Sequence, residues 1–303
     1  MRDFFREIKT ASESAAELPA TEFSWSLTRH RLFRRCERAY FLHYYFAQGG
    51  WDRYADELVR QAYAAKKSVS YAHWLGEVTN RVLEEALDRV RFLTPGARLR
   101  RFRNCFEDYM LEEFDRIGET KVFDFPLPEE DLLRRAKRDA AGAFRCLASS
   151  DAFRMLLRQQ QSNFILRNEE YEFYCGGTRI WFDPGIRWQE PGCRCSLRIL
   201  YSPFDEEVCR TTADLFACYS RERFQEENTM SFFVARDGET WRLFSFHGSA
   251  LFAEELMRGS IALMKRKIRP GNVVVLSDFP EIGLPDVCLE CRFSQVCPLL
   301  REL

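Results

Sequence analysis

Apolar positions take two textures along this chain. From about residue 24 to 160 they recur every three or four residues, and beyond residue 163 they alternate or form short aliphatic runs. Phe23-Ser24-Trp25-Ser26 opens the first helical stretch, with Ser24 or Ser26 placed to cap it. Leu27, Phe33, Tyr40, Phe41 and Tyr44 keep near-helical spacing to residue 46. Residues 52–95 read as helical and end at Thr94-Pro95-Gly96. Residues 97–118 and 128–160 read as two more amphipathic helices, with Pro126 and Pro128 between them. Residues 1–22 are polar and mixed, and a mobile N-terminal arm is expected there.

The second half predicts strands. Residues 164–174 alternate, Gly176-Gly177 turns the chain, and residues 178–188 and 195–201 read as the next two strands. A helix is expected over 208–227, a hairpin of 229–236 and 240–247 around Asp237-Gly238, and a further helix over 249–267. Val273-Val274-Val275-Leu276 then leads into a cysteine-rich tail. This order predicts an α/β (α+β) fold: an arm at 1–22, a helical block at 23–162, and a mixed-sheet core with its tail at 163–303.

At 303 residues the chain is long enough to bury a sizeable core. A net charge of −1 excludes a globally basic coat for DNA but leaves room for a local basic groove. No apolar run approaches the roughly 18 residues that a membrane-spanning helix needs. Met1 to Lys9 lacks the apolar centre of a secretory signal, so a cytoplasmic protein is expected. In that compartment the eleven cysteines are expected to be reduced or metal-bound. Cys105, Cys146, Cys175, Cys209 and Cys218 sit among apolar neighbours and read as small buried hydrophobes. Cys193 and Cys195 read as part of a turn.

The other four cysteines carry the chemistry. Cys36 stands alone in Phe33-Arg34-Arg35-Cys36-Glu37-Arg38, whereas Cys288, Cys291 and Cys297 lie close together near the C-terminus. Three thiols fill three corners of a tetrahedral site, and a fourth must come from elsewhere. Such a soft donor set suits an iron–sulfur cluster or zinc.

Arg34-Arg35-Cys36-Glu37-Arg38-Ala39-Tyr40-Phe41-Leu42-His43-Tyr44-Tyr45, with the tail Val287-Cys288-Leu289-Glu290-Cys291-Arg292-Phe293-Ser294-Gln295-Val296-Cys297-Pro298, resembles the split motif of iron–sulfur PD-(D/E)XK nucleases of the RecB-like superfamily. CRISPR-associated exonucleases and AddB-type recombination nucleases carry this arrangement. The resemblance spans residues 24 to 298 in element order. It implies a restriction-endonuclease-like core and a [4Fe–4S] cluster on Cys36, Cys288, Cys291 and Cys297, acting as a staple. The alternative is zinc bound by the tail with another ligand, Cys36 being a buried thiol.

The same resemblance implies a metal-binding Asp, then an Asp or Glu two residues before a Lys, a helical His and a later Gln. Carried over residue by residue, this chain offers Asn80 for the His, Gly185 for the Asp, Arg198 for the second acid, Leu200 for the Lys and Thr212 near the Gln. The Asp/Glu-x-Lys triplets at Glu7 to Lys9 and Glu119 to Lys121 both precede the strands, and no lysine lies between Lys137 and Lys265. A pseudonuclease with no catalytic Mg²⁺ is therefore expected. Asp183, with Glu170 or Glu172, is the fallback for a relocated site; its simpler role is in the Pro184-Gly185 turn.

Three functions compete. The first is nucleic-acid binding or scaffolding: Arg29, Arg31, Arg34, Arg35 and Arg38 interleave with aromatics, Arg198 could contact a phosphate, and Arg98, Arg100, Arg101 and Arg103 add a second basic cluster. The second is an active metal-dependent deoxyribonuclease with a relocated site. The third is a protein-binding subunit of a nuclease, helicase or phage-defence complex, anchored by aromatics such as Trp51, Tyr54, Trp74 and Trp241.

Overall fold

A computed structural model describes residues 17–20, 22–90, 92–94, 96–98, 100–102, 105, 106, 108, 112, 129–159, 164, 165 and 171–298. In chain order its elements are β1 (Glu17–Pro19), β2 (Ser24–Ser26), α1 (Leu27–Arg35), α2 (Glu37–Phe41), a π-helical turn (Leu42–Phe46), α3 (Glu57–Lys67), α4 (Tyr71–Val90), α5 (Glu129–Ser149) and α6 (Asp151–Arg158). They continue with β3 (Phe164–Ile165), β4 (Glu172–Cys175), β5 (Thr178–Trp181), β6 (Ile186–Glu190), β7 (Cys193–Pro203), α7 (Glu206–Phe224), β8 (Thr229–Asp237), β9 (Thr240–His247), α8 (Ala250–Lys265), β10 (Val273–Val275) and α9 (Pro285–Leu289). The fold is α+β. Among the described residues, no helix is long and apolar enough to cross a membrane.

The chain divides into two compact units. The larger comprises residues 69–173 and 182–255. Its five strands follow the order β3-β6-β7-β8-β9; β7 and β8 are parallel and the other neighbours antiparallel. A parallel pair needs a crossover, and α7 supplies it. The alternation of β7 assigns its two faces. Cys195, Leu197, Ile199 and Tyr201 join the core built by α4, α5 and α6 around Trp74, Leu83 and Phe153. The opposite face turns toward α7, where buried Arg187 donates from Nη1 to Tyr219 Oη at 2.6 Å and Ser196 Oγ bonds Ser231 Oγ at 2.9 Å.

The smaller unit comprises residues 1–68, 174–181 and 256–303, so both ends of the chain build it. β1 pairs antiparallel with β10, Leu18 facing Val274. β2 pairs parallel with β5 in a sheet of order β2-β5-β4. Buried Trp25 donates from Nε1 to Ser260 Oγ at 2.9 Å, and Arg38 Nε donates to Phe279 O at 2.8 Å.

The structure departs from the periodicity in several places. Residues 17–19, expected in a mobile arm, form β1 because an aliphatic run near the other end offers a partner. Ser24 and Trp25 lie in β2, not in a helix; the helix begins after Ser26, whose Oγ accepts from Arg29 N at 3.1 Å. The single helix expected to residue 46 breaks at Cys36, where an extended backbone (φ −164°) separates α1 from α2. The stretch 52–95 holds two helices, α3 and α4, and the strand 178–188 divides into β5 and β6 around Asp183-Pro184-Gly185. Cys193 and Cys195 belong to β7 and not to a turn. The two units cut across the expected boundary at residue 162: α1 to α3 fall in one and α4 to α6 in the other.

Candidate functional site

Four of the five positions that the resemblance assigns to catalysis line a single cavity of about 380 Å³ in the larger unit: Asn80 on α4, Gly185 before β6, and Arg198 and Leu200 on β7. Asp183 lines it as well. Thr212 does not join them; it sits on α7 with its hydroxyl donating to Val208 O at 2.7 Å.

Each converging residue has other work. Asn80 clamps β7: Nδ2 donates to Ile199 O at 3.0 Å and to Gly76 O at 2.7 Å, while Oδ1 accepts from Ile199 N at 3.1 Å. Gly185 has φ +72°, and a Cβ there would lie 2.6 Å from Leu197 O and 2.8 Å from Arg198 Cγ, so no acidic side chain fits on this backbone. Asp183 Oδ1 accepts from Gly185 N at 2.8 Å, which closes the turn, and lies 3.3 Å from Arg198 Nη2. A guanidinium so placed offsets the charge of Asp183 and opposes a divalent cation at this position.

The cavity also holds residues that the motif comparison overlooked. Glu77, Glu84 and His73 line it from α4, with His73 Nε2 3.3 Å from Glu77 Oε1 and Glu84 buried. The signal was present as polar residues at 73, 77, 80 and 84, spaced to share one face of α4.

In the smaller unit the four cysteines meet. Cys36 from the break between α1 and α2, Cys288 on α9, and Cys291 and Cys297 in the turns that follow line a cavity of about 80 Å³ with Leu42 and Phe293. Tight turns set the last two: Cys291 N donates to Cys288 O at 3.1 Å and Cys297 N to Phe293 O at 2.8 Å. Burial pushes the Cys297 thiol up to about 11, with Glu281 adding to the rise and Arg38 opposing it; burial also raises Cys291. Any metal taken up by these thiols would release protons.

Among the described residues, no three His, Cys, Asp or Glu side chains are drawn together tightly enough to grip one ion as they stand. Four thiols around one cavity are a soft donor set, whose chemistry suits zinc and an iron–sulfur cluster alike. Nearby, His43, whose ring meets Phe293 at 6.3 Å, is driven down to about 4 by burial and then by Lys66, Arg292 and Arg29.

The arginines separate into two roles. Arg29 is buried and donates to Tyr40 Oη, Ser24 O and Tyr45 Oη, with its guanidinium 4.3 Å from the Tyr44 ring centre. It is an internal strut, which corrects its assignment to a nucleic-acid face. Arg38 is likewise committed to Phe279 O, whereas Arg31, Arg34 and Arg35 are exposed at helical spacing on α1. Arg34 and Arg35 line an open groove of about 810 Å³ together with Arg266, Lys267 and Arg269, cations that the sequence reading did not connect to them. Glu37 pairs with Lys267 and Asp278 with Arg269, while Arg35 makes an exposed pair with Glu290. Arg198 lines the other cavity. In the second basic cluster Arg98 is buried and donates to the carbonyls of Leu93, Leu157 and Gln159, Arg100 and Arg101 are exposed, and Arg103, like Glu170, lies outside the described residues. Of the aromatics, Trp74 is core and Trp241 packs on Tyr201, whereas Trp51 and Tyr54 are exposed.

No family model matches this chain, and no curated protein matches it. A solved structure titled "Crystal structure of SSO0001" is similar at 13% identity, over 75% of this chain and 98% of that one, with a TM-score of 0.27. A score that low carries no weight for fold or activity.

Removing the Asn80 clamp strands both backbone groups of Ile199. Asn80→Ala is expected to cost about 1–3 kcal/mol, read as a lower denaturation midpoint with an unchanged slope.

Proposed function

We propose that this chain is a nucleic-acid-binding pseudonuclease. On this reading a PD-(D/E)XK-like, iron–sulfur-stapled scaffold has lost its metal chemistry and works by binding inside a nuclease, helicase or phage-defence assembly. The observation that carries the reading is Gly185, whose left-handed backbone and contact with Leu197 O leave no room for the acid the resemblance puts there. Asn80 and Arg198 support it, each being engaged with protein groups.

Binding falls to the groove between α1 and the end of α8. Arg34, Arg35 and Arg266 present guanidinium groups along an open channel, a geometry suited to a run of phosphates. Cys36, Cys288, Cys291 and Cys297 would hold a [4Fe–4S] cluster, whose iron–thiolate bonds would fasten the first helices to the tail. Zinc on the same residues is the second choice. A second functional reading, a relocated metal site, draws on Asp183, Glu77 and Glu84 sharing one cavity. A cytoplasmic location belongs to the same proposal.

Anaerobically purified protein is expected to contain iron and acid-labile sulfide, both lost in Cys288→Ser; stoichiometric zinc without sulfide would replace the cluster assignment. Labelled single- and double-stranded DNA is expected to survive incubation with the folded protein in Mg²⁺ or Mn²⁺. Cleavage that vanishes in Asp183→Ala would establish the relocated site instead. Duplex binding is expected to weaken with salt, and the Arg34→Glu/Arg35→Glu double variant should lower the slope of log K against log salt by about 2.

A further inference from the structure

The loop between the π-helical turn and α3 holds two large rings in water: Trp51 is 70% exposed and Tyr54 79%. That loop is pinned. Gly50 sits so close to α3 that a Cβ would lie 2.4 Å from Tyr63 Cβ and 2.6 Å from Val59 O. Asp52 Oδ1 accepts from Tyr54 N at 2.9 Å, and Trp51 meets the Tyr63 ring edge-on at 6.0 Å. The rings are thus offered on a fixed frame, which lowers the ordering cost of binding.

Cations interleave with them. The Arg53 guanidinium lies 4.5 Å from the Tyr54 ring centre, and Lys67 Nζ lies 5.5 Å from that of Tyr63. The nearby acids are engaged locally: Asp52 and Asp56 accept backbone N–H groups, and Glu57 bonds Arg60 and Gln61. We propose that Trp51 and Tyr54 form a stacking platform for the bases of single-stranded nucleic acid, with Arg53 and Lys67 serving the phosphates. This rests on the nucleic-acid reading above and narrows it. In a duplex each base face is covered by its neighbours, so only an unpaired strand can offer a face to a ring. The platform therefore selects single strands, while the arginine groove is indifferent to pairing.

The test uses the full chain, a fluorescein-labelled oligo-dT and a labelled blunt-ended DNA duplex without a loop, read by anisotropy. Both rings are exposed, so the Trp51→Ala/Tyr54→Ala variant keeps the fold, checked by its melting temperature. Its affinity for oligo-dT is expected to fall on the order of 10- to 100-fold, with duplex affinity within about twofold of the parent and Trp51→Phe retaining most of the single-strand binding. Unchanged oligo-dT affinity in the double variant overturns the platform and leaves the nucleic-acid reading standing. Equal loss for oligo-dT and duplex overturns the selectivity. A parent protein that binds neither DNA overturns the nucleic-acid reading itself and the platform with it. In that case ring-dependent binding to phosphatidylserine vesicles would reassign the loop to a lipid surface.

Discussion

The smaller unit exists only because the two ends of the chain meet. β1 finds its partner strand more than 250 residues away, Trp25 reaches Ser260, and Arg38 reaches Phe279. Closing a loop of that length costs about 5 kcal/mol on a (3/2)RT ln n scaling, before any contact repays it. Three short backbone pairs and a few side-chain bonds are a modest return. A covalent inorganic fastening between Cys36 and the tail would act where that cost is concentrated, which gives the proposed cluster a physical reason beyond resemblance. The break at Cys36 fits the same requirement. The extended backbone there ends α1 and gives the thiol a place on the rim of the cysteine cavity.

The two cavities differ in how they treat charge. In the larger unit the guanidinium of Arg198 lies beside Asp183, so the one acid of the turn is already answered. In the smaller unit burial depresses His43, with Lys66, Arg292 and Arg29 adding to the effect. On the proposed reading the first setting opposes a hard cation, while the thiols of the second would take a soft metal group.

Much of this was legible in the chain. The Asp237-Gly238 hairpin appears as β8 and β9, since a turn dipeptide and its flanking alternation are local information. Asn80, Gly185, Arg198 and Leu200, singled out in the chain, line one cavity. What the pattern could not convey was tertiary. Ser24 to Ser26 carry no strand signal of their own and become a strand only beside β5. Arg29 reads like its neighbours Arg31 and Arg34, yet it turns inward toward Tyr40 and Tyr45 because one turn of helix decides which face is buried. The groove needed Arg266, Lys267 and Arg269, some 230 residues from α1, and no local window joins them.

The chain leaves the smaller unit after residue 68, revisits it for residues 174–181, and returns for good at residue 256. Neither unit is therefore a cassette. A single gene break cannot excise either of them whole, and a fusion partner cannot inherit one without a graft at several seams.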